Sequence, residues 1–177
     1  MIAKIFASGI LLLDIGLIAL LSALLVKKFT GHQGVRRYVD EAFEFLTQYY
    51  REAAFVLGTT STLGSLYMSK ILEIPACEFC WYQRILIFLM PVILGVSIFM
   101  DKDDVADYIL SLAMLGVPIS LYHYIVQMTR ISTSSCSTAV SCNSVQVHEF
   151  GFVTMPWMSL TFFCSTVVLM LLSYRRP

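Results

Sequence analysis

Two cysteines three positions apart stand at the mouth of an apolar run, in Pro75-Ala76-Cys77-Glu78-Phe79-Cys80-Trp81-Tyr82-Gln83-Arg84. A Cys-x-x-Cys pair can close a small disulfide ring. Such a ring is usually a reactive couple rather than a staple, because thiolates in this setting have lowered pKa values. Arg84 follows Cys80 by four residues, so on a helix the two share a face. A cation there would stabilise a Cys80 thiolate. Trp81 and Tyr82 are residue types that settle at a membrane–water interface. A charge at the head of a membrane helix is costly and marks a functional position. A second pair, Cys136 and Cys142, brackets Ser-Thr-Ala-Val-Ser in a polar stretch. The fifth cysteine, Cys164, lies alone in an apolar run and reads as a small apolar filler.

The elements that must position these thiols are membrane helices. The 177 residues are 58% hydrophobic and 14% charged, and mean hydropathy is +0.76. A soluble chain is nearer half apolar and a quarter charged, so a polytopic membrane protein is expected. The net charge is zero, which suggests no nucleic-acid partner. The three histidines are widely separated and give no metal cluster in sequence. Five spans are predicted, at about 5–26, 53–72, 82–100, 108–128 and 151–172. The first contains Asp14, expected to pair with a neighbouring helix. It is too long for a signal peptide and runs directly into Lys27 and Lys28. Residues 27–51 alternate Val35, Val39, Phe43 and Leu46 with charged residues at helical spacing, which predicts an amphipathic surface helix. The 53–72 span, rich in Gly, Ser and Thr, belongs inside a bundle. Pro91 should kink the third span, and Pro118 should interrupt the fourth.

Five spans put both cysteine pairs on one side. The other side then holds Lys27, Lys28, Arg36, Arg37, Arg51, Lys102, Arg175 and Arg176. By the positive-inside bias the cysteines face away from the cytoplasm, where disulfides persist. Three readings of the thiols stay open on the residues alone. They are static disulfides, four zinc-bound thiolates, or two pairs that exchange disulfides with each other and with a partner. A Cys-x-x-Cys ring closes too short a loop to remove much chain entropy, and an oxidising compartment disfavours zinc. Exchange accounts for two pairs on one face beside an intramembrane arginine. It needs an electron acceptor, and no nucleotide, flavin or haem motif is present. A lipid-soluble quinone needs none. Arg84 and His123, at the same outer depth with Trp81, Tyr82 and Tyr122, would frame its headgroup.

These residues resemble a known family. Cys77-x-x-Cys80-Trp81-Tyr82-Gln83-Arg84-Ile85 is similar to the signature of the DsbB family of bacterial membrane thiol oxidoreductases, most closely its BdbC-type members. So are Tyr122-His123-Tyr124 with Gln127, the run from Cys136 to Cys142, and Gly151-Phe152-Val153-Thr154-Met155-Pro156 with Ser159-Leu160. The resemblance covers about 53–173. Residues 1–50 have no match in the family and add an extra N-terminal transmembrane helix and a basic cytoplasmic amphipathic connection; over 51–177 the resemblance implies an all-α fold, a four-helix transmembrane bundle. It implies a quinone-dependent thiol:disulfide oxidoreductase in the bacterial inner or plasma membrane. Its partner would be a thioredoxin-like extracytoplasmic dithiol oxidase of DsbA or BdbD type. Its acceptor would be ubiquinone or menaquinone. By position, Cys136 would be attacked by the partner's thiolate and Cys142 would resolve the mixed disulfide. Cys77 and Cys80 would then be reduced, with Cys80 next to the quinone. Arg84 would hold the quinone and His123 would line the same pocket. Ala76 departs from the family, which has proline directly before the first cysteine. The competing class is a non-catalytic membrane scaffold with structural disulfides or zinc-bound cysteines. A quinone reductase of the vitamin K epoxide reductase type is a closer rival, disfavoured by Trp-Tyr-Gln-Arg after Cys80.

Overall fold

The computed structural model describes residues 2–29, 33–102, 104–129, 142, 144, 145 and 147–174. Its six helices are α1 (Ile2–Phe29), α2 (Gln33–Gln48), α3 (Tyr50–Lys70), α4 (Glu78–Phe99), α5 (Ala106–Thr129) and α6 (Met155–Ser173). This is the expected all-α membrane architecture. Helices α3 to α6 bundle together, and α1 and α2 pack against α6.

The patterning of α4 shows why it forms and how it is turned. Ile85, Leu89, Val92, Val96 and Phe99 are exposed, while Gln83, Ile87, Met90, Pro91, Leu94 and Ser97 are buried. A helix apolar on both faces suits lipid on one side and a core on the other. In α5 the buried positions Ile109, Ala113, Gly116, Ser120, His123 and Gln127 recur every three or four residues, one stripe along the helix. The bundle core joins Ile87, Met90 and Leu94 to Ile109, Phe162, Phe163 and Met170.

Helices α4, α5 and α6 are long and apolar enough to cross a membrane, and α1 contributes a shorter apolar stretch, Ala7–Ala23. Among the described residues, three of the five expected spans thus meet this measure of length and composition in full. Helix α3 has 21 residues, but Thr59, Thr60, Ser61 and Thr62 dilute its apolar character, and it packs on α4 and α6. The expected interruption at Pro118 does not occur: α5 runs through it, as α4 runs through Pro91. A helix tolerates proline inside a bundle because neighbours stabilise the local distortion. Pro91 fills the space over Gly58 of α3, where an added Cβ would lie 3.2 Å from the proline Cδ. Gly116 is under tighter constraint, since a Cβ there would fall 2.3 Å from the Phe163 ring.

Two polar clamps fix the helix ends and the extra helix. Arg51, buried at the start of α3, donates from Nη1 to the Lys102 carbonyl at 3.0 Å and from Nη2 to Asp101 at 3.5 Å. Asp101 is in the left-handed region, with φ of 49°, and Lys102 N–H returns to the Ser97 carbonyl at 2.9 Å. This closes α4 as a Schellman turn without glycine. Asp14 pairs with a neighbouring helix, as expected. Trp157 Nε1 donates to it at 2.9 Å and Thr161 Oγ1 at 2.7 Å, joining α1 to α6. Interhelical hydrogen bonds in lipid average about 0.6 kcal/mol. The clamp therefore sets the rotation of α1 on α6 more than it adds stability.

Candidate active site

The Cys-x-x-Cys pair straddles a helix start. Cys77 is the N-cap of α4, extended at φ −74° and ψ 174°, and Cys80 lies in the first turn. The cap geometry turns the Cys77 sulfur back over that turn, and the two Sγ atoms stand 2.9 Å apart. Both are free cysteines in this structure. Cys77 is buried, at 4% exposure.

His123 reaches the pair from α5. Its Nε2 lies 3.5 Å from Cys77 Sγ, and its Nδ1 lies 3.2 Å from Gln83 Nε2. With the Gln83 amide donating to Nδ1, the ring proton sits on Nε2 and faces the sulfur. Phe79 stacks against His123 and Tyr122, with ring centroids 5.5 Å away in each case, and so joins the outer ends of α4 and α5. The Cys77 thiol is held down at about 4, first by the hydrogen bond from Cys80 and then by His123, against an opposing push from burial. The sequence directs attention to Cys80 and Arg84 for the thiolate, whereas the lowered thiol here is Cys77. One sulfur of a close pair takes the charge and the other keeps the proton, and His123 stands on the Cys77 side.

On the other side of the pair lies an apolar cavity of about 380 Å³. Cys80, Gln83 and Arg84 of α4 line it, with residues of α3 and α6. Arg84 Nη2 donates to Ser69 Oγ of α3 at 2.5 Å, and the guanidinium lies 5.5 Å from the Trp81 ring centre. His123, Trp81, Tyr82 and Tyr122 are not among the lining residues. The structure therefore brings Cys77, Cys80 and His123 together, and Cys80 and Arg84 together, in two neighbouring layers.

Of the second pair, Cys136 lies outside the described residues. Cys142 is disulfide-bonded and buried, at 1% exposure. Gln127 Nε2 donates to the Ser144 carbonyl at 3.0 Å and ties this segment to α5. The disulfide takes Cys142 out of any four-thiolate zinc set. A different donor set does converge, because ligand atoms of Cys77, Cys80 and His123 lie within 4.8 Å of one another.

A reactive dithiol at a membrane-helix start, backed by a histidine and opening on an apolar cavity, has relatives. Residues 50–173 match the family described as "Disulfide bond formation protein DsbB". The chain belongs to the DsbB family. It is 36% identical over 122 residues to "Disulfide bond formation protein C" of Bacillus subtilis, covering 68% of this chain and 88% of that relative. It is 35% identical over 121 residues to a "Probable disulfide formation protein" of Coxiella burnetii, covering 67% and 82%. "Probable disulfide formation protein C 1" of Bacillus anthracis is 39% identical over 112 residues, covering 61% and 79%. No solved structure matches. The molecule is thus a multi-pass membrane protein of disulfide formation, a thiol:disulfide oxidoreductase of BdbC-like type within the DsbB family.

Sequence reasoning passed over Gln83, Phe79 and Ser69. Gln83 was legible as an uncharged polar residue in an apolar run, three after Cys80 and so on its face. Phe79 and Ser69 carried no such signal, because their partners lie on other helices.

Proposed function

We propose that this DsbB-family chain reoxidises a thioredoxin-like extracytoplasmic dithiol oxidase, of DsbA or BdbD type, and passes the electrons to membrane quinone. One observation carries the reading: the Cys77–Cys80 dithiol is flanked by His123 on one side and by the cavity holding Arg84 on the other. The basic residues of the 27–51 connection, the 101–107 turn and the C-terminal end support a cytoplasmic position for those parts. The cysteines then face outward from a bacterial inner or plasma membrane. In this reading 51–177 is the redox unit and 1–50 an accessory element.

The partner's thiolate attacks Cys136 of a Cys136–Cys142 disulfide and frees Cys142. The partner's second thiol then closes its own disulfide, and both loop cysteines are left reduced. By a second exchange they pass two electrons to the Cys77–Cys80 disulfide, in the direction set by the relative reduction potentials. The burial of Cys142 supports attack at Cys136. The cavity suits a quinone ring: its walls are apolar, Arg84 and Gln83 offer hydrogen-bond donors for ring oxygens, and Cys80 forms part of the wall. Ubiquinone or menaquinone bound there would supply the two-electron, two-proton acceptor that returns Cys77 and Cys80 to a disulfide. His123 faces Cys77 with its Nε2–H and donates to the sulfur there.

The test is reconstitution of the purified chain with a reduced thioredoxin-like oxidase and a soluble quinone. Loss of quinone absorbance, matched by partner oxidation and abolished by Cys80→Ala, is the expected result. A second reading, a zinc-bound structural site, is favoured by the three convergent donors. It predicts stoichiometric zinc in the purified protein and no turnover with quinone.

A further inference from the structure

Helix α1 has no counterpart in the family match, which begins at residue 50. The alignment with the Bacillus subtilis relative uses 88% of that protein but 68% of this chain. Yet α1 does not stand apart from the site. Gly9, Ile10 and Leu13 line the same cavity as Cys80, Arg84 and Phe162. Their spacing puts them on one face of α1. Leu12 turns the other way and is 70% exposed. The next residue after Leu13 is Asp14, held by Trp157 and Thr161 of α6. The clamp fixes the rotation that presents Gly9 and Leu13 to the cavity. A Cβ added at Gly9 would meet nothing within 4 Å, so the wall at that point borders open space rather than packed side chains.

We propose that α1 is a wall of the electron-acceptor site, with Gly9, Ile10 and Leu13 bounding the space for a quinone ring and Asp14 holding that wall in register on α6. This rests on the reading of the cavity as the acceptor site. The occupant is a planar, lipid-borne ring. Glycine at position 9 leaves room for its face or edge, and Ile10 and Leu13 supply apolar contact. The same quinone chemistry in a chain lacking α1 would have lipid on this side. Here a protein side chain sets the width of the site.

The test is equilibrium binding of short-chain ubiquinone and menaquinone analogues to the full, oxidised chain in detergent, followed by titration calorimetry. Gly9→Phe should weaken binding at least tenfold, and Asp14→Ala by several-fold, while Leu12→Ala stays within twofold of wild type. Arg84→Ala serves as the separate check on the acceptor reading. If Arg84→Ala weakens binding and Gly9→Phe binds like wild type, the wall is refuted and the acceptor site stands. If wild type binds neither analogue, the acceptor reading falls and takes the wall with it. Should Gly9→Phe fail to fold, photolabelling of the wild-type chain with an azido-quinone decides. Label within residues 9–13 supports the wall, and label confined to α4 and α6 overturns it.

Discussion

At the scale of single residues, the Cys77 sulfur is the centre of the charge. Cys80 gives it a hydrogen bond and His123 a second polar contact, and together they outweigh the cost of burial. A thiol's ordinary value is about 8.5, so lowering it to about 4 keeps the thiolate present across the physiological range. The thiolate persists as pH falls from 8 and is lost only as pH passes through about 4. In the reduced protein, ultraviolet thiolate absorbance should hold from pH 8 to 5 and fall away through about pH 4, and Cys77→Ser should remove it. Replacing Cys80 or His123 with alanine should move the midpoint upward, with the larger move for Cys80. A wild-type midpoint above 7 would show that the neighbours do not act on Cys77 in this way.

At the scale of elements, close approach between helices does the positioning. Helices α5 and α6 meet at Gly116, where the Phe163 ring occupies the space a methyl would need. Helix propensity alone favours alanine over glycine by about 1 kcal/mol. Overpacking a filled core costs about 1–3 kcal/mol. Steric conflict should win, so Gly116→Ala should lower thermal stability in detergent, whereas Gly9→Ala, with open space at its Cβ, should raise it slightly. A stabilised Gly116→Ala would mean that the two helices are not this close. The site depends on the contact because α5 carries His123 seven residues beyond Gly116 on the same stripe. A shift of α5 against its neighbours changes the distance from His123 to Cys77.

At the scale of the whole molecule, the bundle has a thiol end and a basic end. The Cys77–Cys80 pair sits at the start of α4, while Arg51 ties α3 to the turn after α4 at the opposite end of that helix. The proposed orientation predicts that single cysteines placed at Lys102 and Val145 will label from opposite sides of intact cells. A membrane-impermeant maleimide should reach position 145 and not position 102. Labelling of position 102 from outside would reverse the topology and remove access of an extracytoplasmic partner to Cys136.

Composition and residue spacing carry much of this protein. Its apolar content required a membrane protein, because so few charges cannot cover a soluble surface. The spacing of Cys77, Cys80 and Arg84 placed a reactive pair and a cation on one helical face, and the order of motifs pointed to the DsbB family. Helix packing sets what crosses between helices. It set His123 against Cys77 rather than in the cavity with Arg84, because α5 is held to α4 through Phe79 and Gln83. It found partners for Asp14 on α6, 143 and 147 residues away. It also brought Gly9 to the same cavity as Cys80. Such contacts depend on the rotation and depth of packed helices, and sequence spacing constrains neither across so long a separation.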